Sequence, residues 1–244
     1  MKKILLLLAL VLVPPTVSAA SFEGKVTMKM TGPKGTSPNL MFSLKEGLSR
    51  IDMMGPDGRN AGVILDPARQ EMTILMPDQK MYMTRPIPKP AATTSAGGGI
   101  TDSSTGAALE VTTVKEKILG YDCVKYVSQT KDGATELWVT DQLGTFTGFG
   151  SGGLGGGRGG PRGGGTSPQG WEQALAGKNV FPLRVITTST GKETFRLEAT
   201  AVEPQVLPAS LFVAPADFKN LSEMMRGMGM PGNMPGGAIP PGGE

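Results

Sequence analysis

The chain has 244 residues, of which 36 are Gly and 20 are Pro, so a large share of its length favours turns and linkers over packed structure. It contains no His and a single Cys, which excludes Ser-His-Asp and Cys-His nucleophile systems, His-based metal sites, an intrachain disulfide and a thiolate cluster built by one chain. The formal charge of +3 is too small to imply a nucleic-acid partner.

The first residues read as a secretory leader. Lys2 and Lys3 supply a positive start, Ile4 to Val13 form a ten-residue apolar run that stops at Pro14-Pro15, and small residues follow from Val17 to Ala20. The run is about half the length a membrane span needs, so cleavage after Ala20 and a periplasmic or secreted product are expected. Cleavage removes two Lys and no acid, leaving 22 basic against 21 acidic residues. With no His to titrate in between, so slight an excess gives a basic pI without a positive field.

From Phe22 to Thr31 the alternation is strict, with Phe22, Gly24, Val26, Met28 and Met30 on one side and Glu23, Lys25, Thr27, Lys29 and Thr31 on the other. That period predicts a half-buried strand. Further strands are predicted over 40–44, 48–54, 63–66, 71–76 and 80–84, separated by Glu46-Gly47, Gly55-Pro56-Asp57-Gly58, Asp66-Pro67 and Pro77-Asp78. Such short turns specify an antiparallel meander, because parallel neighbours need long crossovers.

Residues 86–108 hold little to bury and read as a long mobile insertion. Strands resume over 110–118, 121–129 and 135–140. Residues 148–166 form a second mobile insertion, since Gly148 to Gly165 includes 12 Gly in 18 positions. A short helix is predicted over 167–176, capped by Ser167 with Pro168 at its first position and Gly177 beyond its end. Strands over 181–188 and 194–202 follow, 211–218 is expected to pack the end of the sheet, and 223–244 is a Gly/Pro/Met-rich tail, disordered from Arg226 onward. The organisation is a leader over 1–20, one β-rich domain over 21–222 with two insertions, and the tail.

Several of these segments carry a resemblance. Phe22-Glu23-Gly24-Lys25-Val26, Lys80-Met81-Tyr82-Met83, Ile118-Leu119-Gly120-Tyr121-Asp122-Cys123, Glu136-Leu137-Trp138-Val139 and Phe181-Pro182-Leu183-Arg184 resemble, in order, the secreted bacterial family called domain of unknown function 4412. The resemblance implies a fold similar to the periplasmic lipoprotein carriers of the LolA type and to sensor-type lipid binders. In fold class that is α+β, mostly antiparallel β: a curled half-barrel sheet covered on its concave face by a short helix and loops. The family carries no assigned activity.

Methionine is the compositional outlier, with 15 residues. A flexible, polarizable side chain suits either an ordinary core or a surface that remodels around apolar ligands. Met28, Met30, Met53, Met81, Met83 and Trp138 are the candidate ligand-lining residues, for lipid or a lipidated protein. Met224, Met225, Met228, Met230 and Met234 in the tail raise Cu(I) binding as an alternative, since thioethers hold that ion. A structural or interaction role in the cell envelope is the other alternative. No catalytic residues, cofactor or resident metal are expected. Cys123 reads as a buried strand residue, and the Arg158-Gly159-Gly160 and Arg162-Gly163-Gly164 repeats as a flexible linker.

Overall fold

The computed structural model describes residues 22–32, 39–54, 58, 60–87, 109–130, 133–149, 170–175 and 177–227. The expected signal peptide, most of both insertions and the tail beyond Gly227 lie outside them.

Period-2 segments joined by tight turns produce the expected meander. The strands are β1 (Gly24–Thr31), β2 (Asn39–Lys45), β3 (Leu48–Met54), β4 (Asn60–Asp66), β5 (Glu71–Met76), β6 (Met81–Pro86), β7 (Glu110–Ile118), β8 (Tyr121–Thr130), β9 (Gly133–Thr140), β10 (Phe181–Ser189), β11 (Lys192–Pro204) and β12 (Lys219–Asn220). They make one sheet in the order β12-β6-β5-β4-β3-β2-β1-β11-β10-β9-β8-β7. Every pairing is antiparallel except that of β12 with β6. The helices are short: α1 (Gly170–Leu175) and α2 (Leu221–Gly227).

The sheet curls around one face, called inner below. β2 and β10 lie three strand spacings apart, about 14 Å at the usual separation, yet the rings of Phe42 and Phe181 meet edge-on with centroids 5.5 Å apart. A flat sheet could not bring them together. The open, curled antiparallel sheet fits a half barrel, with a six-residue α1 as its minimal helical cover.

That cover is mostly irregular chain. Residues 141–149 and α1 insert Leu143, Phe146, Trp171 and Leu175 against the inner face, all four buried. Phe146 stacks on Trp171 at 5.7 Å and meets Phe42 and Phe181 at 6.0 and 5.6 Å. Polar ties fix the segment: the Ser49 and Thr147 hydroxyls lie 2.7 Å apart, Phe146 N donates to Val180 O, and Phe149 N donates to a Glu172 carboxylate oxygen. Each large apolar side chain fully enclosed here is worth roughly 1.5–3 kcal/mol.

The outer face is covered over β3–β6. Residues 205–218 cross it, packing Leu207, Phe212 and Phe218 over Ile64, Leu75 and Tyr82. Glu23 anchors this strap by accepting from Leu207 N at 2.5 Å and from Lys45 Nζ at 2.7 Å, while Lys45 also donates to Leu207 O and Arg50 to Leu211 O. Residues 211–218 thus pack the β3–β6 end of the sheet, as expected, and do so on its outer face.

Three boundaries move. Pro86 ends β6, and Ile87 N donates to Gln70 O, so ordered chain runs past the expected start of the first insertion. Phe149, expected inside the second insertion, packs against Phe42, Phe146 and Trp171. Helix α2 runs to Gly227, past the expected onset of disorder at Arg226, with Asn220 Oδ1 accepting from Ser222 N in the manner of a helix cap.

Candidate functional site

Cross-strand register sorts the candidate residues by face. On the inner face Val26, Phe42, Ile51, Val63, Ile74 and Met83 form one unbroken row over six strands, each directly opposite the next. A parallel row runs Met28, Leu40, Met53 and Ala61, and continues at the far edge with Met76 opposite Met81. Met30 faces Leu197 on the same side. The five candidate methionines therefore share one face, as their period within each strand requires.

Burial divides that face into two halves. Val26, Ile51, Val63 and Met28 are each 0% exposed and belong to the sealed core beneath the cover. Met53, Ile74, Met76, Met81 and Met83 are half-buried, so enclosure fails toward β6. Met28 is thus a core residue, while Met30 and Met53 pack on the rim of the core and Met81 and Met83 lie half-buried on β6, next to the short β12.

Trp138 is a correction, because the register places it on the outer face. It stands opposite Lys125 and Arg184; Arg184 stands opposite Glu198, and Glu198 opposite Lys29, the neighbour of Met28 that points away from it. There the indole is clamped between two cations, Lys125 Nζ at 5.1 Å and the Arg184 guanidinium at 5.3 Å from the ring. Lys125 is paired with Glu136 at 2.7 Å, and Arg184 with Glu198 and Glu116 at 2.8 and 2.9 Å. Partial burial works against the Arg184 charge, but the hydrogen bonds it donates to Glu116 and Glu198 hold its pKa above the ordinary value. The cluster is charge-compensated and staples β7 to β11.

Cys123 shares this face through Glu116 and is buried, with burial pushing its thiol up to about 11. A thiol held neutral is a poor nucleophile. Among the described residues no group of three or more Cys, Asp or Glu side chains is placed to hold a metal ion. Met224 and Met225 are exposed on α2, but adjacent helical side chains point about 100° apart and do not converge on one ion. The remaining tail methionines lie outside the described residues. No described helix is long and apolar enough to cross a membrane.

The family model for Domain of unknown function (DUF4412) matches residues 22–218, which contain every described strand but the last and both covers of the sheet. The chain belongs to this family. No curated protein matches. Among solved structures, PNGF-II in two crystal forms is 14% and 13% identical with TM-scores of 0.44 and 0.47, covering 79% and 84% of this chain and 30% and 33% of that one. MucB, in complex with MucA(peri), is 14% identical with a TM-score of 0.39, covering 82% of this chain and 56% of MucB. The chain thus spans about a third of PNGF-II and just over half of MucB. Likeness at that level carries nothing about function, and the family's name assigns no activity.

Proposed function

We propose that this member of the family is an exported envelope protein that acts as a non-enzymatic binding or carrier module for an apolar, acyl-like ligand. The observation that carries the reading is the burial gradient along one row: Val26, Phe42, Ile51 and Val63 are sealed, while Ile74 and Met83, on the next two strands, are only half-buried. The sealed half provides a rigid floor. The open half offers Met53, Ile74, Met76, Met81 and Met83, a surface that adapts to apolar shapes without a polar requirement. Lipid, or the acyl group of a lipidated protein, is the matching ligand class. Export rests on the leader at 1–20.

Uptake of a fluorescent fatty acid by the purified mature chain tests the reading. Met83→Asp is expected to abolish uptake while the thermal transition persists. A wild-type protein that takes up no apolar probe would remove the carrier reading and leave the envelope interaction role.

A further inference from the structure

The inner face of β1–β6 is apolar or neutral throughout, with one exception. Its three cross-strand rows are those of Met28 and Val26 described above and a third running Gly24, Leu44, Ser49, Leu65, Met72 and Arg85. Among the described strand residues on that half of the face, Arg85 is the single ionisable side chain.

Its position is specific. Arg85 follows Met83 by two residues on β6 and so points to the same side, flanked by Met83 and Ile87 and opposite the buried Met72. It is exposed, and none of the acidic side chains among the described residues pairs with it. Arg184, Arg50 and Arg196, by contrast, are each satisfied by carboxylates. The aliphatic stem of an arginine can lie along apolar surface while its planar fork stays at the rim, presenting paired donors that match a carboxylate or phosphate.

Resting on the binding reading above, we propose that the ligand is an amphiphile with an anionic head, a carboxylate or a phosphate, held by the Arg85 guanidinium while its chain lies over Met83 and Ile74 toward Met53. The apolar strip alone would not distinguish an alcohol from an acid. Arg85 supplies that distinction, because it gains a charge-assisted pair only when the head carries negative charge.

Calorimetric titration of the mature chain with dodecanoate, dodecyl phosphate and dodecanol tests this, using wild type, Arg85→Gln, Arg85→Lys and the outer-face control Lys29→Gln, each first shown to melt cooperatively. Arg85→Gln is expected to weaken both anions about tenfold and leave dodecanol unchanged. Arg85→Lys should restore part of the loss and Lys29→Gln should cost nothing. The ratio of dodecanoate to dodecyl phosphate affinity identifies which head the site prefers. An Arg85→Gln protein that keeps the wild-type preference for anions over dodecanol overturns the assignment of Arg85 while the apolar reading stands. Binding of none of the three probes by wild type overturns both.

Discussion

Phe42 and Phe181 sit on strands separated by two others and still meet edge-on, with ring centroids 5.5 Å apart. Both are almost completely enclosed, and both touch Phe146 of the covering segment. The contact closes the curl of the sheet from within. Phe42→Ala is expected to cost about 3–5 kcal/mol, since it leaves a cavity that three neighbouring rings cannot fill without releasing one another. Chemical denaturation measures it. A loss below about 1 kcal/mol would mean that the curl does not depend on this contact.

The clamp around Trp138 predicts a second, separable effect. Trp138→Leu keeps apolar bulk on the outer face but removes two cation contacts, each worth about 0.5–2 kcal/mol. Lys125 and Arg184 keep their carboxylate partners, so neither charge is stranded. A double-mutant cycle of Trp138→Leu with Lys125→Met should show coupling of about 0.5–1 kcal/mol. Zero coupling would reduce the clamp to simple packing.

Much of this arrangement was legible in the residues. Leu48–Met54, Glu71–Met76 and Glu110–Ile118 are strands over the expected bounds because alternation and turn residues act locally. The same period correctly put Met81 with Met83 and Met28 with Met30. Trp138 escaped that logic, since its face relative to Met28 is set by the pairing of β1, β11, β10 and β9 rather than by anything within its own strand. Phe149 and the strap over 205–218 have no period to read. Their burial depends on what the folded sheet offers them, such as the Glu23 carboxylate that accepts from Leu207 N.

That carboxylate makes the strap acid-sensitive. The pKa of Glu23 is lowered by its hydrogen bonds from Lys45 and then Leu207 N, and that of Asp217 by its hydrogen bond from Lys80. A depressed carboxyl stabilises the folded state fully above the unfolded pKa of about 4 and loses that contribution as pH falls through the lower folded value. Amide exchange at Leu207 is therefore expected to accelerate below about pH 4 before the β-sheet amides respond. Glu23→Gln should flatten that response. An unchanged profile in the variant would show that another group controls the strap.

Cys123 predicts the opposite end of the pH scale. Its thiol is held neutral to about 11, chiefly by burial, whereas an unfolded thiol ionises near 8.5. Between those values the unfolded state has released a proton that the folded state keeps, so stability falls as pH rises. Alkylation by iodoacetamide at neutral pH should be slow and proceed only through opening of the fold. Rapid labelling of native protein would show that Cys123 is accessible.

Met28 and Met83 allow the sealed and open halves of one face to be told apart by the same chemical change. Met28 is 0% exposed beside Leu40 and Ala199, and an aspartate there would be shut away from water. An unpaired buried charge costs several kcal/mol against a total stability of roughly 5–15, so Met28→Asp should unfold the domain or lower its transition steeply. Met83 is half-buried on β6, directly opposite Ile74 and two residues from Arg85. An aspartate at this position reaches solvent, and Met83→Asp should cost about 1 kcal/mol or less. Thermal denaturation of the two variants side by side decides the matter. Equal, severe losses would mean that the face is sealed from β1 to β6 and has no room for a ligand, whereas a large loss at Met28 with a small one at Met83 leaves the open half available for the amphiphile.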